Sequence, residues 1–149
     1  SGIYSLIINK DNELISSSAN GLIKIWNMTT GECKRNLNGH TTVVISLVIN
    51  KKNELISGGF DDGTIKVWNM TTGEFKRNLL ANHPGWIFSL VINQNDELIS
   101  GSLDRMIRIW NMTTGILIRT LSGHSASISS LLISKDNELL SGSSDKTIK

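Results

Sequence analysis

The sequence predicts an all-β chain in which one four-stranded unit repeats. Three observations predict it. Trp26, Trp68 and Trp110 stand 42 residues apart, and self-similarity at such a period marks a repeat architecture. Each tryptophan is followed by the same five residues, Asn-Met-Thr-Thr-Gly, at 27–31, 69–73 and 111–115. The stretches between turn residues are short and rich in Ile, Val, Leu and Thr. No helical stretch appears, and the single proline, Pro84, sits where a loop is expected.

In the second repeat the four strands are expected at about 43–49, 54–58, 64–68 and 74–79. The first strand of a unit is the most apolar. Val44, Ile45, Leu47, Val48 and Ile49 leave only Ser46 polar, so both faces of the sheet are expected to be covered. The second strand opens on Glu-Leu, beginning at Glu13, Glu54, Glu97 and Glu138. Between these strands lie four-residue polar turns at 9–12, 50–53, 93–96 and 134–137, each led by Asn or Ser. Such side chains bond their own backbone and stabilise a turn. The third strand ends at the tryptophan. The five-residue element that follows ends in Gly, which tolerates positive φ as the chain reverses into the fourth strand. His40, His83 and His124 recur seven residues before Leu47, Leu90 and Leu131. Counting along the repeats places one extra residue near 61–62 and another near 80–82, and insertions that spare apolar segments belong in connections.

The chain has 149 residues, is 39% hydrophobic and 19% charged, and is therefore expected to fold around a buried core. A formal charge of +2 does not by itself call for a nucleic-acid or membrane partner. The apolar runs are too short to span a bilayer as a helix. Residues 3–8 are too short, and lack the basic flank, for a signal peptide. With the single cysteine, Cys33, this predicts an intracellular, cytoplasmic setting.

Gly39–His40 and Gly123–His124, Ser57–Gly58 and Ser100–Gly101, and the three Trp-Asn endings resemble the WD-repeat β-propeller family, whose ending is usually Trp-Asp. The resemblance covers essentially the whole chain. It implies a partial β-propeller of about three and a half four-stranded antiparallel blades, at about 1–37, 38–79, 80–121 and an incomplete 122–149. It also implies a buried hydrogen-bonded His–Ser–Asp–Trp group in each blade. The matching residues are His40, Ser57, Asp62 and Trp68, then His83, Ser100, Asp104 and Trp110, then His124, Ser141 and Asp145 without a tryptophan. Asn82 replaces the Gly before His83. The first repeat has Ser16 and Trp26, with Asn20 in place of Asp and no histidine. The resemblance further implies a partner-binding face at Val43, Trp86 and Ser127, and at Ala19, Asp61, Leu103 and Ser144.

Each chemical reading has a plainer competitor. A Ser–His–Asp set invites nucleophilic catalysis, but it is present once per repeat and no Gly-x-Ser-x-Gly elbow occurs. A structural hydrogen-bond role is favoured. Three histidines one repeat apart, with no second ligand close in sequence, are expected to hold no metal, and no cofactor is expected. The Asn-Met-Thr triplets at Asn27, Asn69 and Asn111 fit a glycosylation acceptor, but a repeated turn explains them. Lys34–Arg35, Lys76–Arg77 and Arg119 fall in the fourth strands, where a solvated edge is favoured over a patch for RNA or an acidic partner. The counterparts of Trp86 are Val43 and Ser127, so the repeat does not require an aromatic there. Trp86 is either an interface anchor, or packing against Pro84 or a neighbouring blade.

The expected function is a non-catalytic protein-interaction scaffold. It would present loops of several blades to partner proteins, with Trp86, Leu103, Val43 and Asp61 as candidate contacts. An RNA- or phospho-ligand-binding propeller is the alternative, and no membrane partner is expected. Fifteen strands are expected, the last at 147–149. The terminal sheets would expose residues such as Ile3, Leu6 and Ile8. Further blades are expected from a longer chain, or from self-association in which two copies give eight blades.

Overall fold

The computed structural model describes residues 2–60, 63–79 and 83–149. The first sheet runs β1 (Ile3–Ile8), β2 (Glu13–Ser18), β3 (Ile23–Asn27) and β4 (Cys33–Leu37), each pairing antiparallel with the next. The second is β5 (Val44–Ile49), β6 (Glu54–Gly59), β7 (Ile65–Asn69) and β8 (Phe75–Leu79). The third is β9 (Ile87–Ile92), β10 (Glu97–Ser102), β11 (Ile107–Asn111) and β12 (Leu117–Leu121). The fourth holds β13 (Ile128–Ile133) and β14 (Leu139–Ser143). This is an all-β partial propeller of about three and a half blades.

The described residues contain fourteen strands, one fewer than the sequence count. The expected fifteenth is reduced to a bridge between Gly142 and Ile148. Reciprocal bonds between Ser141 and Lys149, at 2.8 and 3.0 Å, flank it. Only residues 147–149 reach alongside β14, too few for a ladder.

The turns form for the reasons their residues suggest. Asn50 Oδ1 accepts the N–H groups of Lys52 (3.1 Å) and Glu54 (2.9 Å), and Asn9 and Asn93 do the same in their own turns. Ser134 Oγ substitutes in the fourth. The last turn residue takes positive φ at Asn12, Asn53, Asp96 and Asn137, a conformation Asn and Asp tolerate. At the other end of the sheets, Asn27, Asn69 and Asn111 each accept two backbone N–H groups through Oδ1.

The apolar first strands have a second cause besides being covered on both faces. A β-bulge shifts the register between Val44 and Ser46, and again at Ile3/Ser5 and Ile128/Ser130. The bulge re-aims the strand, so Val44 and Leu47, three apart, both enter one cluster.

The core lies between sheets. Ile15, Ile23, Ile25 and Leu37 of the first sheet meet Val44, Leu47, Leu55, Trp68 and Met70 of the second. Ile56, Ile65, Val67 and Leu79 meet Ile87, Leu90, Leu98, Trp110 and Met112 of the third. Ile99 and Ile107 meet Ile128 and Leu131 of the fourth. The second and third sheets are apolar on both faces because each is sandwiched between two others, which removes the need for strict alternation.

Candidate functional site

The third blade shows the buried polar group most fully. His83 lies in the loop before β9, Ser100 on β10, Asp104 in the turn after β10, and Trp110 at the end of β11. Ser100 Oγ accepts the Trp110 indole N–H at 3.0 Å and contacts His83 Nε2 at 2.8 Å. Asp104 Oδ2 lies 3.1 Å from His83 Nδ1 and accepts from Arg108 Nη1 at 2.6 Å. Arg108 also touches His83 Nδ1. Burial, then the Arg108 charge, pushes the His83 imidazole below its usual range, so it is neutral at pH 7. Burial alone would raise Asp104. The bonds from Arg108, the Met106 N–H and His83 outweigh it and hold the carboxyl below the usual range.

In the second blade His40 Nε2 meets Ser57 Oγ at 2.7 Å, and Trp68 donates to the same oxygen at 2.8 Å. Asp62 and Asp61 lie outside the described residues. In the fourth, His124 Nε2 meets Ser141 Oγ at 2.9 Å and Nδ1 meets Asp145 Oδ2 at 2.8 Å. Asp145 is held well below the usual carboxylate range, first by the Thr147 hydroxyl and then by His124 and backbone N–H groups, against a smaller opposing effect of burial. The place Trp68 fills against Gly39 is open beside Gly123, and a pocket of about 240 Å³ there is lined by Leu121, His124 and Ser141. The first blade keeps only the Trp26 to Ser16 bond, at 2.8 Å, while Asn20 bonds the Ser18 hydroxyl instead.

The chemistry of these groups is constrained by burial. Ser57 and Ser100 are 0% exposed, and each hydroxyl oxygen already accepts an indole N–H. A nucleophile must reach its substrate, and these two cannot. Among the described residues no three His, Cys, Asp or Glu side chains gather to hold a metal ion.

Three of the basic fourth-strand residues, Lys34, Lys76 and Arg77, have partners. Lys34 pairs with Glu13 and Lys76 with Glu54, joining fourth strand to second within a blade. Burial would raise Glu54, but Lys76 and Asn50 bond its carboxylate and keep it ionised below its usual range. Arg77 reaches the next blade and donates to the Met112 carbonyl at 2.6 Å. The repeating Glu was visible in the sequence; its lysine partner was not. The third repeat, with Ile118 in the lysine's place, could have exposed the pairing by contrast.

One loop face carries a cluster of large side chains. Trp86 is half-buried and stacks on Phe60 of the preceding blade, with centroids 3.8 Å apart, while Phe88 meets its edge. Leu103 is 42% exposed, and its N–H donates to the Trp86 carbonyl at 2.9 Å. The equivalent bond in the second blade runs from Phe60 N–H to the Val43 carbonyl at 2.8 Å. Phe60 is thus in register with Leu103.

A family model described as WD domain, G-beta repeat, matches residues 1–27, 31–69, 73–111 and 115–149. The chain belongs to the WD-repeat family. Solved structures agree with that membership. The computationally designed Ika4 protein superposes with a TM-score of 0.88 at 36% identity, over 100% of this WD-repeat chain and 89% of that one. The designed Ika8 protein gives 0.87 and 36%, over 100% and 45%. The WD40 propeller domain of Doa1 gives 0.89 and 25%, over 99% and 50%. This chain therefore spans about half the length of the last two. No curated protein is similar enough to match.

Proposed function

We propose that this WD-repeat chain is a non-catalytic scaffold that binds partner proteins through the loop face of its second and third blades. The observation that carries the reading is the Phe60–Trp86 stack with exposed Leu103 beside it. A half-buried tryptophan held by a second ring loses little freedom on binding, which suits an interface anchor. Val43 extends the patch through its backbone bond to Phe60. Family membership supports the scaffold role, and the inaccessible serines support the absence of catalysis by the buried groups. The engaged lysines and Arg77 weigh against a phosphate-binding rim.

The test compares proteins retained by immobilised wild-type chain, Trp86→Ala and Leu103→Ser, all three checked for equal melting temperature. Retained proteins lost with either variant, in binding that salt leaves unchanged, bear out the reading. Retention indifferent to both substitutions overturns it. So does retention of RNA with a steep loss in salt.

A further inference from the structure

The chain holds two Asn-Gly pairs, Asn20–Gly21 and Asn38–Gly39, and every other asparagine is followed by a residue with a side chain. A glycine after asparagine leaves the side-chain amide open to the next backbone nitrogen, because no Cβ hinders the approach. The two pairs share this chemistry but sit in opposite settings. We propose that Asn38–Gly39 is a site of spontaneous deamidation, that the fold protects Asn20–Gly21 from the same reaction, and that the product at Asn38 unseats the buried group of the second blade.

Attack needs the glycine nitrogen deprotonated and brought against the asparagine Cγ, so both groups must be free to move. In Asn20–Gly21 neither is free. Gly21 N donates to the Ser18 carbonyl at 3.2 Å, while Asn20 Oδ1 accepts the Ser18 hydroxyl at 2.6 Å and the Leu22 N–H at 3.4 Å. Gly21 also holds φ at +81° against the next loop, where an added Cβ would lie 2.4 Å from the His40 carbonyl oxygen. Asn38 and Gly39 are both exposed and lie between β4 and β5. Among the described residues no hydrogen bond holds the Asn38 side chain or the Gly39 N–H.

The reaction consumes one water and releases one ammonia. Gly39 N bonds to Asn38 Cγ, and the side-chain nitrogen leaves as ammonia, carrying the proton that Gly39 N gave up. A five-membered succinimide results. Water then opens the ring at either carbonyl. Opening at Cγ gives aspartate, and opening at the main-chain carbonyl gives isoaspartate, whose main chain runs through Cβ and Cγ and is one carbon longer. The added length falls at a tight place. A Cβ at Gly39 would lie 2.8 Å from Trp68 Cη2, so Gly39 packs directly on the indole. The next residue, His40, meets Ser57 Oγ at 2.7 Å, the oxygen that also accepts from Trp68. A main chain lengthened just before Gly39 cannot keep both contacts. Nothing in the repeat demands this asparagine, since its counterparts are Ala81 and Ser122.

The test incubates the purified chain in warm, mildly alkaline buffer and follows each tryptic peptide by mass spectrometry, with electron-transfer fragmentation to separate isoaspartate from aspartate. In the folded chain Asn38 is expected to convert at least about tenfold faster than Asn20, which must first give up its bonds. In urea the two should convert at comparable rates. Melting temperature should fall as isoaspartate accumulates, whereas Asn38→Ser, which copies Ser122, should keep its midpoint through the same incubation. Equal conversion of the two sites in the folded chain, or a difference that persists in urea, overturns protection by the fold. Isoaspartate at Asn38 with no drop in midpoint overturns the link to Trp68. A folded chain in which Asn38 does not react overturns the site itself.

Discussion

His83 shows how one buried side chain ties several others together. Its ring nitrogens reach Ser100 and Asp104, and burial, helped by the Arg108 charge, disfavours its protonated form. Removing the acceptor in Asp104→Ala leaves Arg108 and His83 without their carboxylate. A loss of about 1–3 kcal/mol is expected, since buried groups then go unsatisfied. Thermal unfolding would read this as a drop of several degrees, and an unchanged midpoint would count against the role. The pH dependence follows from the same group. His83 titrates below 6.5 in the fold, so the unfolded chain binds its proton first as pH falls. Stability from this residue is complete above 6.5 and is lost as pH drops through the folded value. Asp104, also lowered, contributes only above 3.8 and is lost below it. Melting temperature should therefore start to fall as pH drops below about 6.5, and His83→Gln should flatten part of that slope before carboxylates titrate. Equal slopes in the two proteins would refute the argument.

Among the elements, the second strands are the best buried. All six residues of β6 are buried, whereas β8 and β12 are largely exposed. Amide exchange followed by mass spectrometry should be slowest in β6 and β10 and fastest in β8 and β12. The reverse order would contradict the layering. Close approach of sheets also makes a local prediction. Gly101→Ala drives a methyl group into Ile128, and overpacking of this kind costs about 1–3 kcal/mol. Adding Ile128→Val should recover part of that loss: between the first two sheets Ser17 stands where Gly101 does, and the smaller Val44 faces it. Denaturant unfolding of the single and double variants checks both statements.

The whole molecule is a row of seams, so its stability is a sum over neighbouring blades. A substitution between two sheets should therefore act on those two alone: in Gly101→Ala, amide exchange is expected to quicken in β10 and β13 and to stay unchanged in β2 and β3, and an equal change in all sheets would contradict this.

Sequence alone determined the repeat, the strand order and the turn chemistry, and the family resemblance pointed to the His, Ser, Asp and Trp that meet in the third blade. Those features are either local or recur at one spacing, and Asn50 bonding its own turn is legible from four residues. Tertiary structure decided what depends on register and on neighbours about one repeat away. The bulge that aims Val44 and Leu47 into one cluster is invisible until β5 pairs with β6. That Phe60 stacks on Trp86, in register with Leu103, shows only when the backbone N–H that meets Val43 is seen. The matching of Gly101 to Ile128 exists only across a seam, where two sheets approach closely enough for one missing Cβ to matter.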